Sequence, residues 1–225
     1  MANIIIIGAS TGIGYEIVKQ LAPHHQVLAL SRRTDSLAEL SLENLTFKKF
    51  DLTSSTAKKD ILNIVSSHFK TVDFLINNAG YLVNAPLLEL TETDIDKMFQ
   101  TNVTGIIKTC QAIIPLMSSG AHIVNIGSMG GFQGSAKFVG LSAYSASKAA
   151  IASFTECLAE EIKPLGISAN CLALGAAQTD MLANAFPGYE APVSAEKMAE
   201  FICQFSLTAH QWINGKVVPI SLSTP

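Results

Sequence analysis

Tyr144-Ser145-Ala146-Ser147-Lys148 opens a stretch of helical pattern, so Tyr144 and Lys148 share one face of that helix. A phenol titrates near pKa ~10 and exchanges protons poorly at neutral pH. An ammonium beside it favours the phenolate and draws that pKa toward the range of a general acid or base. Alone the pattern is weak, because an ordinary tyrosine and a solvated lysine also produce it. A second chemical feature lies near the start of the chain. Gly8-Ala9-Ser10-Thr11-Gly12-Ile13-Gly14 joins an Ile-rich run to a helical segment. Glycines there permit a tight turn, close approach of backbone to a phosphate, and close helix–strand packing. The helix N-terminus adds free N–H groups and a positive dipole end, which suit a pyrophosphate. The spacing is GxxxGxG, distinct from GxGxxG, and it lacks the Lys-Ser/Thr pair of a P-loop. A Gly-rich turn without a ligand is the plain alternative.

These groups must be carried by elements that bring them together. Asn3 to Ile7 is a continuous apolar run stopped by Gly8, as in a strand buried on both faces. Further strand-like runs are Val27 to Leu30, Leu45 to Phe50, Val72 to Ile76, Ala121 to Ile126, Ile167 to Ala173 and Lys216 to Ile220. Between them lie helical stretches: Gly12 to Ala22, Thr53 to Phe69, Thr91 towards Met117, Tyr144 to Lys163, and Ser194 to Leu207. Thr91-Glu92-Thr93-Asp94 resembles a capping box. Such alternation predicts a doubly wound α/β domain over 1–225, with about seven parallel strands and helices on both faces. In such sheets ligands bind beyond the carboxyl ends of the strands. Gly8, Asp51, Asn77, Gly127, Ser128 and Gly175 all follow apolar runs.

Composition narrows the class. The 225 residues are 48% apolar and 15% charged, which suits a large core and excludes disorder. A net charge of -3 argues against a nucleic-acid surface. No apolar run has the length of a membrane span, and MANIIIIGAS lacks a basic leader region. Cys110, Cys157, Cys171 and Cys203 are far apart in apolar stretches and read as buried free thiols, hence a reducing, cytoplasmic setting. The five histidines show no metal-ligand spacing, and no metal site is expected.

Gly8-x-x-x-Gly12-x-Gly14, Asn77-Asn78-Ala79-Gly80, Asn102, Ser128 and Tyr144-x-x-x-Lys148, in this order, resemble the short-chain dehydrogenase/reductase family. The likeness runs to Ile213-Asn214-Gly215-Lys216, and so implies a Rossmann-type fold over nearly the whole chain. It implies that Tyr144 is the general acid in carbonyl reduction or the base in alcohol oxidation. Lys148 would lower the Tyr144 pKa and bind the nicotinamide ribose. Ser128 would donate to the substrate oxygen, and Asn102 would hold a water that relays protons from Lys148. Asn102 has local support, because Thr101, Asn102, Val103, Thr104 and Gly105 are poor helix formers inside an expected long helix. A tolerated kink, with Asn102 satisfied by backbone, is the alternative.

The resemblance also implies a dinucleotide site. Ser10, Thr11 and Ile13 belong to its phosphate turn, with Asn78, Ala79 and Gly80 on the adenosine side. Asp51 and Leu52 would meet the adenine, although Asp51 could instead cap the following helix. Thr179 resembles the hydroxyl that meets the carboxamide. Where NAD enzymes carry an acid after the second strand, this chain has Ser31-Arg32-Arg33. Ser31 can donate to a 2′-phosphate and Arg32 or Arg33 can pair with it, which favours NADP(H) over NAD(H). Either arginine could instead be a solvated surface residue. Substrate-side loops are expected at 127–143 and 176–193. The first is longer than usual, with Phe132, Lys137 and Phe138 inserted. The second is short, and its Phe186, Pro187 and Tyr189 line the pocket or cap the core.

The expected activity is NADP(H)-dependent hydride transfer with a small carbonyl or alcohol substrate. The alternative is a catalytically silent NADP-binding sensor or partner protein of the same fold. A homodimer or homotetramer is expected from the resemblance. The runs Ile106-Ile107, Ile113-Ile114 and Ile151 to Phe154 leave apolar surface for a partner, or for the subunit's own sheet.

Overall fold

The computed structural model describes residues 1–222; residues 223–225 of the expected 1–225 domain lie outside the described residues. Its strands are β1 (Asn3–Ile7), β2 (Gln26–Ser31), β3 (Leu45–Lys49), β4 (Val72–Asn77), β5 (Met117–Ile126), β6 (Ser168–Leu174) and β7 (Val217–Ile220). They form one seven-stranded parallel sheet in the order β3-β2-β1-β4-β5-β6-β7, a Rossmann-like arrangement. The helices are α1 (Gly12–Leu21), α2 (Asp35–Ala38), α3 (Ala57–Ser66), α4 (Glu92–Phe99), α5 (Gly105–Ile113), α6 (Ser142–Ile162), α7 (Asp180–Ala185) and α8 (Ala195–Thr208).

The isoleucine run of β1 is continuous because both faces of the strand are covered. Ile5 and Ile7 enter a core shared with Ile61 of α3, Ile106 of α5 and Ile151 of α6. Ile4 and Ile6 enter the opposite core, with Ile17 of α1 and Ile202 of α8. Ile4, Ile5 and Ile6 are each 0% exposed, so cutting any one to alanine would cost roughly 2–5 kcal/mol. Pro219 is tolerated in β7 because that strand forms an edge.

From β1 the chain winds outward through β2 to β3, whereas β4 pairs on the other side of β1. The carboxyl ends of β1 and β4 therefore flank the topological switch point, where α/β sheets open a crevice. The backbone ties the two ends together, as Asn78 N donates to Ile7 O at 3.0 Å.

Four sequence expectations change. The single helix from Thr91 towards Met117 is α4, a π-helical turn (Gln100–Thr104), α5 and a 3₁₀ turn (Ile114–Leu116). Thr101, Val103 and Thr104 hold α-helix weakly, and Pro115 offers no N–H. The capping box at Thr91 and Asp94 is present. α3 begins at Ala57 instead of Thr53, after turns in which Asp51 Oδ1 accepts from Thr53 N and Thr53 Oγ1. Asp51 is therefore not the cap of α3. Cys157 is exposed on the outer face of α6, whereas Cys110, Cys171 and Cys203 are buried. Finally, Ile106, Ile113 and Ile151 are buried by the chain's own core, whereas Ile107, Ile114 and Phe154 are half-buried.

Candidate active site

A cavity of about 700 Å³ opens at the switch point. Gly8, Ser10, Thr11, Gly12, Ile13, Ser31, Arg32, Arg33, Asp51, Leu52, Asn78, Ala79, Gly80, Ser128, Tyr144, Lys148 and Thr179 all line it. Gly14 and Asn102 do not, and each stands behind a residue that does.

Gly8 adopts φ 84, and a Cβ there would lie 2.6 Å from Ala79 Cα. A Cβ at Gly14 would overlap Gly8 O, so Gly14 serves the packing of α1 against the turn. Asn78 Nδ2 donates to Gly8 O at 2.7 Å, so its amide braces the turn from the β4 side. Thr11 is the N-cap of α1, yet its side chain makes no capping bond. An exposed hydroxyl and unpaired helix N–H groups thus face the cavity, a donor set suited to phosphate. Ser31 Oγ donates to Ser10 Oγ at 2.8 Å and joins the ends of β1 and β2.

Arg32 and Arg33 are exposed after β2. Nearby, Asp51 is held below the usual carboxylate range, first by the Thr53 hydroxyl and also by the Arg32 charge. Arg32 and Asp51 therefore share one end of the cavity. Thr179 caps α7, accepting from Leu182 N at 3.3 Å, which leaves its O–H free to donate elsewhere.

The proton-bearing groups follow β5. Ser128 lies two residues beyond that strand and caps a 3₁₀ turn, accepting from Gly130 N at 3.2 Å. Tyr144 and Lys148, one turn apart on α6, are 9% and 3% exposed. Lys148 Nζ donates to Ile126 O at 2.8 Å and lies 5.9 Å from the Tyr144 ring centroid. Burial pushes the Lys148 ammonium down to about 8, with the adjacent Cys171 thiol pulling the other way. The expected lowering of Tyr144 is not found. Burial raises its pKa, opposed by a hydrogen bond with Ser128. A protonated phenol, a hydroxyl and an ammonium thus converge, a set able to give or take a proton at an oxygen placed among them.

Asn102 sits in the π-helical turn and is 0% exposed. Its Oδ1 accepts from Tyr81 N at 2.8 Å, while its Nδ2 donates to Tyr81 O and to Ser147 Oγ, each at 2.9 Å. These bonds brace the loop after β4 against α6. Gly80 lies between, where a Cβ would stand 3.6 Å from Lys148 Nζ and 3.7 Å from Asn102 Oδ1. Sequence reasoning missed Tyr81, Ser147 and Cys171. Ser147 stood inside the Tyr144–Lys148 segment, but nothing in its spacing pointed to Asn102. It also missed α7, which Thr179-Asp180 could have signalled as a cap and first turn.

Comparison with known proteins agrees with this architecture. A family model described as short chain dehydrogenase matches residues 2–190. Carbonyl reductase family member 4 of Danio rerio is 35% identical over 185 residues, covering 80% of this chain and 77% of its own. The 3-oxoacyl-acyl-carrier-protein reductase of Chlamydia pneumoniae is 31% identical over 188 residues, 80% of this chain and 75% of its own. Among solved structures, a short chain dehydrogenase of Burkholderia cenocepacia in complex with NADP superposes with a TM-score of 0.85 at 28% identity. That match covers 97% of this chain and 95% of the other.

Proposed function

Because this chain belongs to the short-chain dehydrogenase/reductase family, oxidoreductases that bind NAD(P), we propose that it is an NADP(H)-dependent reductase of a small carbonyl compound, the reverse reaction oxidising the alcohol. The observation that carries the reading is the convergence of Ser128, Tyr144 and Lys148 in the cavity that the Gly-rich turn also lines. That turn fits a dinucleotide through its close-packed glycines and the unbonded Thr11 hydroxyl. Bound nicotinamide would supply or accept the hydride.

The protein's own groups handle the proton. Burial keeps the proton on Tyr144 Oη, which is the state a general acid needs for reduction. Ser128 Oγ orients the substrate oxygen by donating to it, as oxyanion donors do. Lys148 Nζ, anchored on Ile126 O, keeps further donors for a ribose hydroxyl. Asn102 holds Tyr81 and Ser147 in place and so positions the loop and helix that carry the acid.

NADP(H) is favoured by Arg32 and Arg33, exposed at the cavity beside the buried Ser31, and by the NADP-bound relative. A homodimer or homotetramer rests on the family likeness, and a monomeric mass by sedimentation equilibrium would overturn it. Free cysteines suit a reducing compartment such as the cytoplasm.

The test is titration with NADPH and NADH, then a panel of ketones, aldehydes and diketones with Tyr144→Phe as control. Tighter NADPH binding and oxidation of NADPH that drops ~10²–10⁴-fold in the variant are expected. Binding without turnover across the panel would favour the silent sensor, and binding of neither nucleotide would remove the dinucleotide site itself.

A further inference from the structure

Three segments distant in sequence wall the substrate side of the cavity: residues 81–90 after β4, residues 129–141 before α6, and residues 180–189 around α7. They are tied to one another. Asn84 Nδ2 donates to Ala185 O at 2.7 Å, and Ala85 N donates to Gly140 O at 3.0 Å. What they present to the cavity is apolar, chiefly Leu82, Met129, Phe138, Leu141, Met181 and Phe186. Behind this wall Met98, Leu141 and Tyr144 form a small core of their own, against which Leu82 and Phe186 pack.

These three segments present no cation to the cavity. Among the described residues, the charged side chains lining the cavity are Arg32, Arg33, Asp51, Lys148 and Asp180. The first three follow β2 and β3, across the switch point from these segments. Lys148 donates to Ile126 O, and Lys137, the cation of the 129–141 segment, is engaged by its own loop. Its Nζ donates to Gly130 O at 3.0 Å, Phe132 O at 2.7 Å and Ser135 Oγ at 2.8 Å. A carboxylate or phosphate on the part of the substrate that lies against these segments, away from Lys148, would shed water while the donors of Lys137 are taken by its own loop, and it would meet Asp180.

We infer that the substrate is an uncharged carbonyl compound with an apolar skeleton, and that keto acids and phosphorylated ketones are rejected; this rests on the reductase reading above. The carbonyl would reach Ser128 and Tyr144, while the skeleton covers Phe138 and Met181, each 43% exposed, and Tyr189, 46% exposed. An apolar lining with few convergent polar groups selects ligands in this way.

The experiment uses methyl ketones of equal length ending in methyl, phenyl, carboxylate or ammonium, with cofactor binding followed separately by NADPH fluorescence. The apolar members should exceed both charged ones in kcat/KM by about tenfold or more. Phe138→Ala should raise KM for the apolar ketones about tenfold with NADPH affinity unchanged, and Phe138→Lys should improve the carboxylate member. Both changes fall on a partly exposed loop and leave the core intact. Reduction of the carboxylate or ammonium ketone as efficiently as the apolar one would overturn the substrate class and leave the reductase reading standing. NADPH binding with no member turned over would overturn both.

Discussion

Buried polar side chains gather at both ends of the parallel sheet, and they meet different surroundings. Beyond the carboxyl ends of the strands, Ser128, Tyr144 and Lys148 line a cavity. Toward the amino ends of β4 and β6, His122 and Asn170 lie with Ser206 and His210, and none of the four lines it. Burial disfavours the cation in both places, lowering Lys148 to about 8 and His122 to about 4. The clusters differ in what faces open space: Ser206 Oγ and His210 Nδ1 have no hydrogen-bond partner, yet they are buried away from the cavity. His122 Nδ1 donates to Ser206 O at 2.9 Å, and its Nε2 accepts from Asn170 Nδ2 at 3.0 Å. Lys148 has one protein acceptor for three donors. A shifted pKa reports desolvation. A functional site also needs unused valence facing open space.

Lys148→Met is the strongest test of that contrast. The apolar replacement suits the buried position, so the fold should survive while kcat/KM falls ~10²–10⁴-fold. In the parent protein, kcat/KM for reduction should decline on the alkaline side near the Lys148 pKa of about 8. The stability effect has the opposite sign. Because the folded pKa lies below the ordinary value of 10.5, the unfolded chain binds more protons between pH about 8 and 10.5, and this group's stability contribution rises with pH there. Full activity in the variant would remove the distinction between the two ends.

A smaller effect belongs to the β2 end of the cavity. Arg32→Ala should weaken NADPH about tenfold and leave NADH nearly unchanged, since a guanidinium on a 2′-phosphate acts on one cofactor alone. The Arg32 charge also bears on Asp51, so it is already oriented toward the cavity's rim. An unaltered NADPH-to-NADH ratio in fluorescence titrations would shift the preference to Arg33 or abolish it.

What could be read without coordinates was chemistry that is local in sequence. The Gly-rich turn, Ser128 and the Tyr144–Lys148 pair all sit directly at strand or helix ends, so strand counting placed them together. Asn102 was legible as a run of poor helix formers and became the π-helical turn. Interactions decided by register were not legible. Lys148 finds Ile126 O only because α6 packs beside β5, and the burial that raises Tyr144 comes from the same packing. His122 meets Asn170 because β5 and β6 pair with His122 opposite Ser168. α2 and α7 span 4 and 6 residues, too short for a helical period to register.

The amino-end cluster makes the mildest prediction, and it concerns acid stability. Asn170 is held in one orientation, its Nδ2 donating to Ile213 O at 3.1 Å and its Oδ1 accepting from Lys216 N at 3.0 Å. Protonating His122 would therefore set an N–H against the Asn170 amide N–H₂, with the His210 ring 5.3 Å away. The histidine folds neutral and must charge on unfolding in acid. Between pH 6.5 and about 4 the unfolded chain binds the extra proton, so stability falls as the pH falls, by a few kcal/mol at most. His122→Gln keeps a donor for Ser206 O and an acceptor for Asn170 without a titrating group. Urea unfolding at pH 7 should give a difference within about 1.5 kcal/mol, while the gap between parent and variant shifts in the variant's favour toward pH 4. Activity per folded molecule should be unchanged, because nothing in this cluster reaches the cavity. Parallel pH curves for the two proteins would show that His122 is charged in the fold, and the amino end would then hold a titrating cation like the one at the carboxyl end.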